Sequence, residues 1–244
     1  MNISLCTTPI RPTPTTFPPL GSMAIIQSLR KDKIDVSFFH IDYFRYTHQE
    51  IVDYYRKNNF DVVLISAVVS TAYAYTKYLC KIIKEINNKT LIIVGGNLAA
   101  SAEILHRKCD VDFCVIGDGE LIIRKIIKNI KLNKINIEDL KSIKGITFLY
   151  NQEFFFTGYE HALPADELER PDWSILEKIN CLDYYMPKGG GSIKGFNPNF
   201  ETEGRTATII TAKGCVAKCT FCHRFEKGYR VSPNESLVQH AKML

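Results

Sequence analysis

The sequence predicts an α/β protein built on a doubly wound, largely parallel sheet. Apolar runs of strand length alternate five times with segments of helical periodicity over residues 1–136. The runs at residues 61–66, 91–94 and 111–116 are apolar throughout rather than alternating, as in parallel strands that helices cover on both faces. The connections are long enough for helical crossovers. This part of the chain is therefore predicted to form a five-stranded, flavodoxin-like domain.

The predicted elements follow one another in regular order. The five strands are expected at residues 2–6, 34–41, 61–66, 91–94 and 111–116. The helices between and after them are expected at residues 20–31, after Thr47, and at 71–86, 99–107 and 121–131. Thr47 has Glu50 three positions later, which is the spacing of a capping box. Five prolines within residues 9–19 exclude a helix there and predict a loop after the first strand.

Small and polar residues follow three of the predicted strands. Ligands of doubly wound sheets bind at the carboxyl ends of the strands. Glycine lets the backbone approach a bulky ligand, although a tight strand–helix turn explains the pair Gly95-Gly96 equally well. Gly117 and Gly119 do not form a dinucleotide fingerprint, because they follow the fifth strand and lack the third glycine. The candidate cofactor-binding residues at this edge are Ser66, Ser70, Gly95, Gly96, Asn97, Gly117, Gly119 and Glu120.

Three cysteines near the end of the chain have the spacing Cys-x3-Cys-x2-Cys. Thiolates are the usual protein ligands of iron–sulfur clusters, and three of them leave one iron of a four-iron cluster open. A zinc site with His223 as fourth ligand, or three free core cysteines, are the alternatives. Basic neighbours (Lys213, Lys218 and Arg224) favour a solvent-reachable loop with stabilised thiolates. The candidate metal ligands are Cys215, Cys219 and Cys222.

The composition is that of an ordinary globular protein. The 244 residues are 45% hydrophobic and 23% charged, and a net charge of +5 demands neither a nucleic acid nor a membrane partner. No apolar run approaches the length of a bilayer span, and the first residues lack a signal-peptide pattern, so a cytoplasmic location is expected. The remaining cysteines lack ligand spacing and are predicted to be small buried hydrophobes: Cys6, Cys80, Cys109, Cys114 and Cys181.

The chain beyond the first domain is predicted to fall into two parts. Residues 145–150 and 153–157 form a hairpin in a connector that extends over residues 137–204. Residues 205–211 are then expected to be the first strand of a second domain, which would occupy residues 205–244. A helix follows Ser232, which can serve as its cap, with Pro233 at the first helical position.

The cysteine loop resembles the cluster loop of the radical S-adenosylmethionine (radical SAM) superfamily. In that family the amino and carboxylate groups of SAM chelate the open iron, and the aromatic Phe221 before the third cysteine fits the pattern. The strand ends resemble a cobalamin-binding domain that precedes the radical SAM domain in a large subgroup. Ser66, Gly95-Gly96 and the run Gly117-Asp118-Gly119-Glu120 carry that resemblance. Residues 163–176 are similar to the linker between the two domains of this subgroup.

The resemblance implies an enzyme with three cofactors: a four-iron, four-sulfur cluster, SAM and cobalamin. Cys215, Cys219 and Cys222 would hold the cluster, and Phe221 would be a cofactor-binding residue. The reaction would generate a 5′-deoxyadenosyl radical, and the enzyme would be a methyltransferase acting on an unactivated carbon. It further implies a small-molecule or natural-product substrate and an electron donor of the flavodoxin or ferredoxin type. The alternatives are a radical SAM enzyme whose first domain binds no corrinoid, and a non-catalytic metal-binding sensor or ligand-binding module.

The chain departs from the family pattern in two respects, and each leads to an expectation. Some cobalamin domains place a cobalt-ligating histidine after the first strand, but residues 7–20 contain none. Any bound cobalamin is therefore expected to lack a protein imidazole on cobalt. The radical SAM domain resembles a partial barrel of about six strand–helix units, of which one is present. The chain is therefore expected to be a fragment that does not cleave SAM by itself.

Overall fold

Two sheets organise the described part of the protein. The computed structural model describes residues 1–132, 136–168, 170–189, 199, 203–217, 219–220, 222 and 228–243. One sheet has seven strands in the order β2-β1-β3-β4-β5-β6-β7, and the other pairs β8 with β9. The strands of the large sheet are β1 (Ile3–Thr7), β2 (Ser37–Phe39), β3 (Val62–Ser66), β4 (Leu91–Gly95), β5 (Phe113–Val115), β6 (Ile146–Tyr150) and β7 (Glu153–Phe156).

The first five strands are parallel, as the sequence predicts. Their order, β2-β1-β3-β4-β5, is that of the flavodoxin-like doubly wound fold. Strand β2 is shorter than the predicted run of residues 34–41, and the short helix α2 (Ile41–Phe44) follows it. The predicted fold class of the first domain is therefore confirmed.

Helices cover both faces of this sheet. The larger helices are α1 (Leu20–Lys31), α3 (His48–Asn58), α4 (Tyr73–Ile86), α5 (Ala102–Lys108) and α6 (Gly119–Lys131). Buried side chains of α1 and α6 pack on one face, and those of α3, α4 and α5 pack on the other. The capping box at the start of α3 is present: the Glu50 N–H donates to Thr47 Oγ1, and the Thr47 N–H donates to Glu50 Oε2. Smaller helices are α7 (Ile137–Ser142), α8 (Ser174–Glu177) and α9 (Leu182–Tyr185).

The hairpin β6–β7, which the sequence predicts within the connector over residues 137–204, extends the main sheet. Strand β6 pairs antiparallel with β5, with Cys114 opposite Thr147. Without this pairing β5 would expose a row of backbone donors and acceptors. Ile146 and Phe148 of β6 are buried in the same hydrophobic cluster as α1 and α6. The hairpin therefore shares the hydrophobic core on that face of the sheet.

The predicted strand at residues 205–211 is wrong. Residues 206–211 have no strand assignment, and β8 (Ala212–Cys215) begins after them. It pairs antiparallel with β9 (Gly228–Val231), so that the first cysteine of the loop is itself a strand residue. A β-branched run forms a strand only where a partner strand is available, and residues 206–211 pair with none among the described residues. The helix predicted after Ser232 is present as α10 (Asn234–Met243).

Two other expectations stay predictions. The structure does not test the division of the chain at residues 136 and 204, nor the cytoplasmic location. Within the described residues, no helix combines the length and apolar character that crossing a bilayer requires.

Candidate functional site

A cleft of about 300 Å³ opens at the carboxyl edge of the parallel strands. Its walls come from the first turns of α1 and α6, and its floor is apolar. The floor residues are Leu5, Leu64, Ile93 and Val115, one from each of four adjacent strands. Parallel strands carry their carboxyl ends to one edge, and the loops that follow them form the rim. The sequence thus builds a hollow with an apolar base and a polar entrance.

Most of the candidate cofactor-binding residues meet in this cleft. Those that line it are Ser66, Gly95, Gly96, Asn97, Gly117, Gly119 and Glu120. Ser70 begins a short 3-10 turn, is exposed, and is not among the described residues that line the cleft. Phe221 lies outside the described residues. Whether the lining residues bind a cofactor stays a prediction.

The two adjacent glycines of β4 and its loop have different physical roles. A Cβ added at Gly95 would meet no atom within 4 Å, so the cleft beside this residue is open. Gly96 has φ +89°, and a Cβ there would lie 2.5 Å from the backbone oxygen of Ala67. Gly96 is therefore required by the turn itself, whereas Gly95 leaves open space in the cleft. The sequence alone does not distinguish the roles of Gly95 and Gly96, whereas the backbone geometry does.

Helix α1 contributes cleft residues that the sequence analysis does not identify. Gly21, Ser22 and Ile25 line the cleft from the first two turns of this helix. A Cβ added at Gly21 would also meet nothing within 4 Å. A glycine at the second position of a predicted helix is the signal that could have indicated open space beside this turn.

The proline-rich loop after β1 is held in place by α2. The Arg45 guanidinium donates to the carbonyl oxygens of Arg11 (2.8 Å) and Thr13 (2.6 Å). The Asp42 carboxylate accepts from the Thr15 N–H at 3.1 Å. A second hollow of about 250 Å³ lies between this loop and the strand ends, and shares Gly21, Ser22, Ser66 and Val68 with the cleft. The binding edge is therefore wider than the cleft alone.

His40 lies at the end of β2, beside the second hollow, and both of its ring nitrogens have partners. Nδ1 is 2.8 Å from Thr7 Oγ1, and Nε2 is 2.7 Å from the Tyr185 hydroxyl. The ring is 2% exposed. Burial lowers the pKa of His40 from 6.5 to about 4, so the imidazole is neutral at pH 7. This ring orders the edge of the sheet, and neither nitrogen is available to a ligand.

A cluster of four charged side chains joins the rim of the cleft to the cysteine-bearing hairpin. Asp118 Oδ1 is 2.7 Å from Lys213 Nζ, and Asp118 Oδ2 is 2.6 Å from the Arg230 guanidinium. Lys213 also contacts Glu120 Oε1 at 2.9 Å and lines the cleft. Burial raises the pKa of Asp118, but the hydrogen bonds from Arg230 and Lys213 outweigh it and hold the value at about 2. Asp118 is therefore a carboxylate at all physiological pH values.

The eight cysteines divide into two groups. Cys6, Cys80, Cys109, Cys114 and Cys181 are buried, as predicted, whereas Cys215, Cys219 and Cys222 are exposed. The alternative that these three are core cysteines is therefore wrong. Cys215 ends β8, and the Cys222 N–H donates to the Cys219 carbonyl oxygen at 3.2 Å.

The three exposed thiols are not gathered into a finished metal site. Within the described residues, no three His, Cys, Asp or Glu side chains are grouped closely enough to hold a metal ion. His223, Arg224 and Lys218 lie outside the described residues. Lys213, which the sequence places beside the thiolates, contacts the carboxylates of Asp118 and Glu120. The metal-ligand assignment stays a prediction.

The fold and cleft define a flavodoxin-like ligand-binding domain, and comparison with known proteins gives the family. Residues 9–127 match the family described as B12 binding domain. This match covers the proline-rich loop and every predicted strand end that lines the cleft. Residues 9–127 are thus similar to the B12-binding domain family, as the strand-end residues suggest.

Two curated proteins resemble most of the chain. The anaerobic magnesium-protoporphyrin IX monomethyl ester cyclase of Synechocystis is 24% identical over 210 residues, which cover 84% of this chain and 38% of that protein. A putative methylthiotransferase of Methanocaldococcus jannaschii is 27% identical over 187 residues, covering 74% of this chain and 34% of that protein. The chain thus spans a little over a third of the length of these relatives.

Solved structures match the described fold over nearly the whole chain. The cobalamin-dependent SAM radical enzyme OxsB, with aqua-cobalamin and SAM bound, superimposes with a TM-score of 0.71 at 18% identity, covering 99% of this chain and 31% of OxsB. The radical SAM methyltransferase TsrM of Kitasatospora setae gives 0.68 at 15% identity, covering 100% of this chain and 45% of TsrM. The predicted resemblance to the N-terminal portion of cobalamin-dependent radical SAM enzymes is confirmed.

Proposed function

We propose that the cleft at the carboxyl edge binds cobalamin. The observation that carries this proposal is the convergence of seven predicted residues on one open cleft, and all seven lie within residues 9–127, the part that matches the B12-binding family. Two glycines, Gly21 and Gly95, line the cleft with no atom within 4 Å of an added Cβ. These two open positions leave room for a flat group, and the apolar floor suits one that is partly hydrophobic.

The polar and apolar side chains that line the cleft suit cobalamin. Ser66 and Asn97 supply polar groups at the rim, and Leu64 and Ile93 supply the apolar floor. We infer that the nucleotide tail of cobalamin, which ends in dimethylbenzimidazole, enters beside Ser66 and Gly95. The loop after β1 would then provide no imidazole to cobalt, since residues 7–20 contain no histidine, and both ring nitrogens of His40 at the end of β2 already have partners.

The cysteine loop is proposed to hold a four-iron, four-sulfur cluster through Cys215, Cys219 and Cys222. All three thiols are exposed, whereas the other five are buried, which is the division expected between ligand and core cysteines. Phe221 and SAM would complete this site. When bound, the cluster would supply an electron for cleaving SAM, and cobalamin would supply a transferable methyl group.

The resulting proposal is that the chain is the N-terminal part of a cobalamin-dependent radical SAM enzyme, of the methyltransferase class. The resemblance to TsrM and OxsB supports the fold, and the family match supports the cofactor. A small-molecule or natural-product substrate and a flavodoxin- or ferredoxin-type electron donor belong to this proposal. The two curated relatives are named for different reactions, a cyclisation and a methylthio transfer, so they do not define one substrate.

A titration of the full chain with hydroxocobalamin tests the first step. Binding with a Kd well below about 100 μM is expected. The change in the corrinoid absorption spectrum measures it. A folded chain that binds no hydroxocobalamin at about 100 μM, a limit of roughly 5–6 kcal/mol, would overturn the cofactor assignment. The radical SAM enzyme without a corrinoid would then be the better interpretation.

A further inference from the structure

Asp118 occupies a helix-capping position, but its side chain does not cap the helix. It directly precedes α6, where aspartate usually accepts a hydrogen bond from the backbone of the first turn. Here the carboxylate makes no such bond. It accepts instead from the Leu163 N–H at 2.9 Å and from Arg230 at 2.6 Å, and it pairs with Lys213 at 2.7 Å. All three partners are far away in the chain.

These contacts enclose the carboxylate completely. The Asp118 side chain is only 2% exposed, and a buried carboxylate is strongly unfavourable unless cations and donors surround it. Arg230 completes the enclosure by donating to the Leu163 carbonyl oxygen at 2.7 Å. Glu120 supplies the second negative charge, so that two carboxylates face two cations. The arrangement depends on all its members, because loss of one leaves a buried charge without its partner.

The cations of this cluster belong to the hairpin that carries the cysteine loop. Lys213 lies on β8 and Arg230 lies opposite it on β9. Lys213 and Cys215 are two positions apart in β8, so the charged contacts of Lys213 hold the strand that carries Cys215. Lys213 also lines the cleft. One side chain therefore contacts the cofactor cleft while its strand carries the first proposed cluster ligand.

We propose that Asp118 is a positioning residue that fixes the β8–β9 hairpin, and with it Cys215, against the cleft of the B12-binding domain. The ion pairs are contacts between residues of this chain alone, so this inference goes beyond the cofactor assignment. Only its consequence for the two cofactors rests on the proposed function. If both are bound, Asp118 sets their separation, and occupation of the cleft stabilises the docked hairpin by reciprocal linkage.

Hydrogen exchange of the ligand-free, full chain tests the positioning role directly. In Asp118→Asn, the amides of residues 212–215 and 228–231 are expected to exchange at least about tenfold faster, because the hairpin loses its charged anchor. The matched control is Asp32→Asn, which removes an exposed ion pair between α1 and α6, where Arg124 Nε is 2.7 Å from Asp32 Oδ2. Unchanged hairpin exchange in a folded Asp118→Asn variant would overturn the proposal.

Substitutions of Lys213 separate positioning from folding. Lys213→Arg keeps the cation and is expected to preserve hairpin protection, whereas Lys213→Met keeps the length and is expected to lose it. Lys213 is partly exposed, so these variants address the same contact even if Asp118→Asn does not fold. Equal protection in the Arg and Met variants would show that the charge pair does not hold the hairpin.

A third readout distinguishes this inference from the proposed function. In the chain loaded with reduced cluster and Co(II) cobalamin, electron paramagnetic resonance relaxation reports their separation. Asp118→Asn is expected to weaken this coupling while each cofactor remains bound, because Asp118 is not among the described residues that line the cleft. Failure to bind hydroxocobalamin would overturn the cofactor assignment and leave the hydrogen-exchange result to decide the role of Asp118. Unchanged coupling in Asp118→Asn, with both cofactors bound, would overturn the positioning role.

Discussion

Ser66 lies directly opposite Gly95 in the parallel register of β3 and β4, at the edge where the cleft opens. The Ala67 N–H donates to the Gly95 carbonyl oxygen at 2.9 Å, and the Thr8 N–H donates to the Ser66 carbonyl oxygen at 3.2 Å. The backbone of this edge is therefore paired across three strands. A larger side chain at Gly95 would therefore change the space in the cleft without removing these backbone hydrogen bonds.

Gly95→Val is expected to weaken hydroxocobalamin binding at least about tenfold, a change of about 1.4 kcal/mol. A Cβ added at this position meets no protein atom within 4 Å, so the new side chain extends into the cleft that Gly95 lines. The thermal midpoint should change little, because the residue ends a strand and does not need positive φ. Absorbance titration and thermal unfolding measure the two effects separately. Unchanged affinity in the folded variant would place the ligand elsewhere.

Gly96→Val is expected to act on stability instead. Its φ of +89° and the 2.5 Å approach of an added Cβ to Ala67 oxygen impose a cost of about 1–3 kcal/mol. Urea unfolding of the ligand-free chain measures this loss. A variant as stable as the unsubstituted protein would contradict the backbone strain inferred for this turn.

Cys219→Ala is expected to abolish iron–sulfur absorption after anaerobic reconstitution, which otherwise yields about four irons per chain. Cys181→Ala is the matched control, because Cys181 is buried and its sulfur lies 3.6 Å from the Leu176 carbonyl oxygen. It should leave the iron content unchanged. Stoichiometric zinc, with no iron–sulfur absorption after reconstitution, would favour the zinc alternative.

Stability is expected to fall as the pH drops from about 6.5 to about 4, and His40 should contribute to this fall. Burial holds the pKa of His40 at about 4 in the folded chain, whereas an unfolded histidine titrates near 6.5. The unfolded state thus binds more protons in this window, and up to about 3 kcal/mol of stability is lost. Chemical unfolding at pH 7.5 and pH 4.5 measures the difference.

His40→Gln is the control for that titration, since an amide can keep polar contacts with Thr7 and Tyr185 without gaining a proton. The variant should be less stable than the natural sequence at pH 7.5, and the gap should narrow at pH 4.5. His106 and His240 have pKa values that burial also lowers, and they remain in both proteins. A gap that stays constant between the two pH values would assign the acid sensitivity to these other groups.

The axial ligand of cobalt gives an independent check on the cofactor proposal. The Co(II) form of the bound corrinoid is expected to show no nitrogen hyperfine splitting from a protein imidazole. Both nitrogens of His40 are hydrogen-bonded, and residues 7–20 contain no histidine. Splitting that disappears in His40→Gln would instead identify this ring as a ligand and contradict the assignment of its partners.

The sequence by itself determined the alternation of strands and helices and the parallel core of the first domain. These features depend on local periodicity: continuous apolar runs such as Val62–Ser66 require cover on both faces, and the intervening lengths require helical crossovers. The edge where Ser66, Gly95 and Gly117 meet also follows, because parallel strands bring their carboxyl ends together. The division of the cysteines into buried and exposed groups follows from their spacing.

The tertiary structure decided what periodicity does not encode. Strand β6 joins β5 and residues 206–211 form no strand, because pairing depends on which backbone edges are available in space. The different roles of Gly95 and Gly96 arise from one backbone approach to Ala67. Asp118 and Arg230 are 112 positions apart, and their contact leaves no pattern in the sequence. Only the folded chain brings such charges together, since burial makes each of them depend on the other.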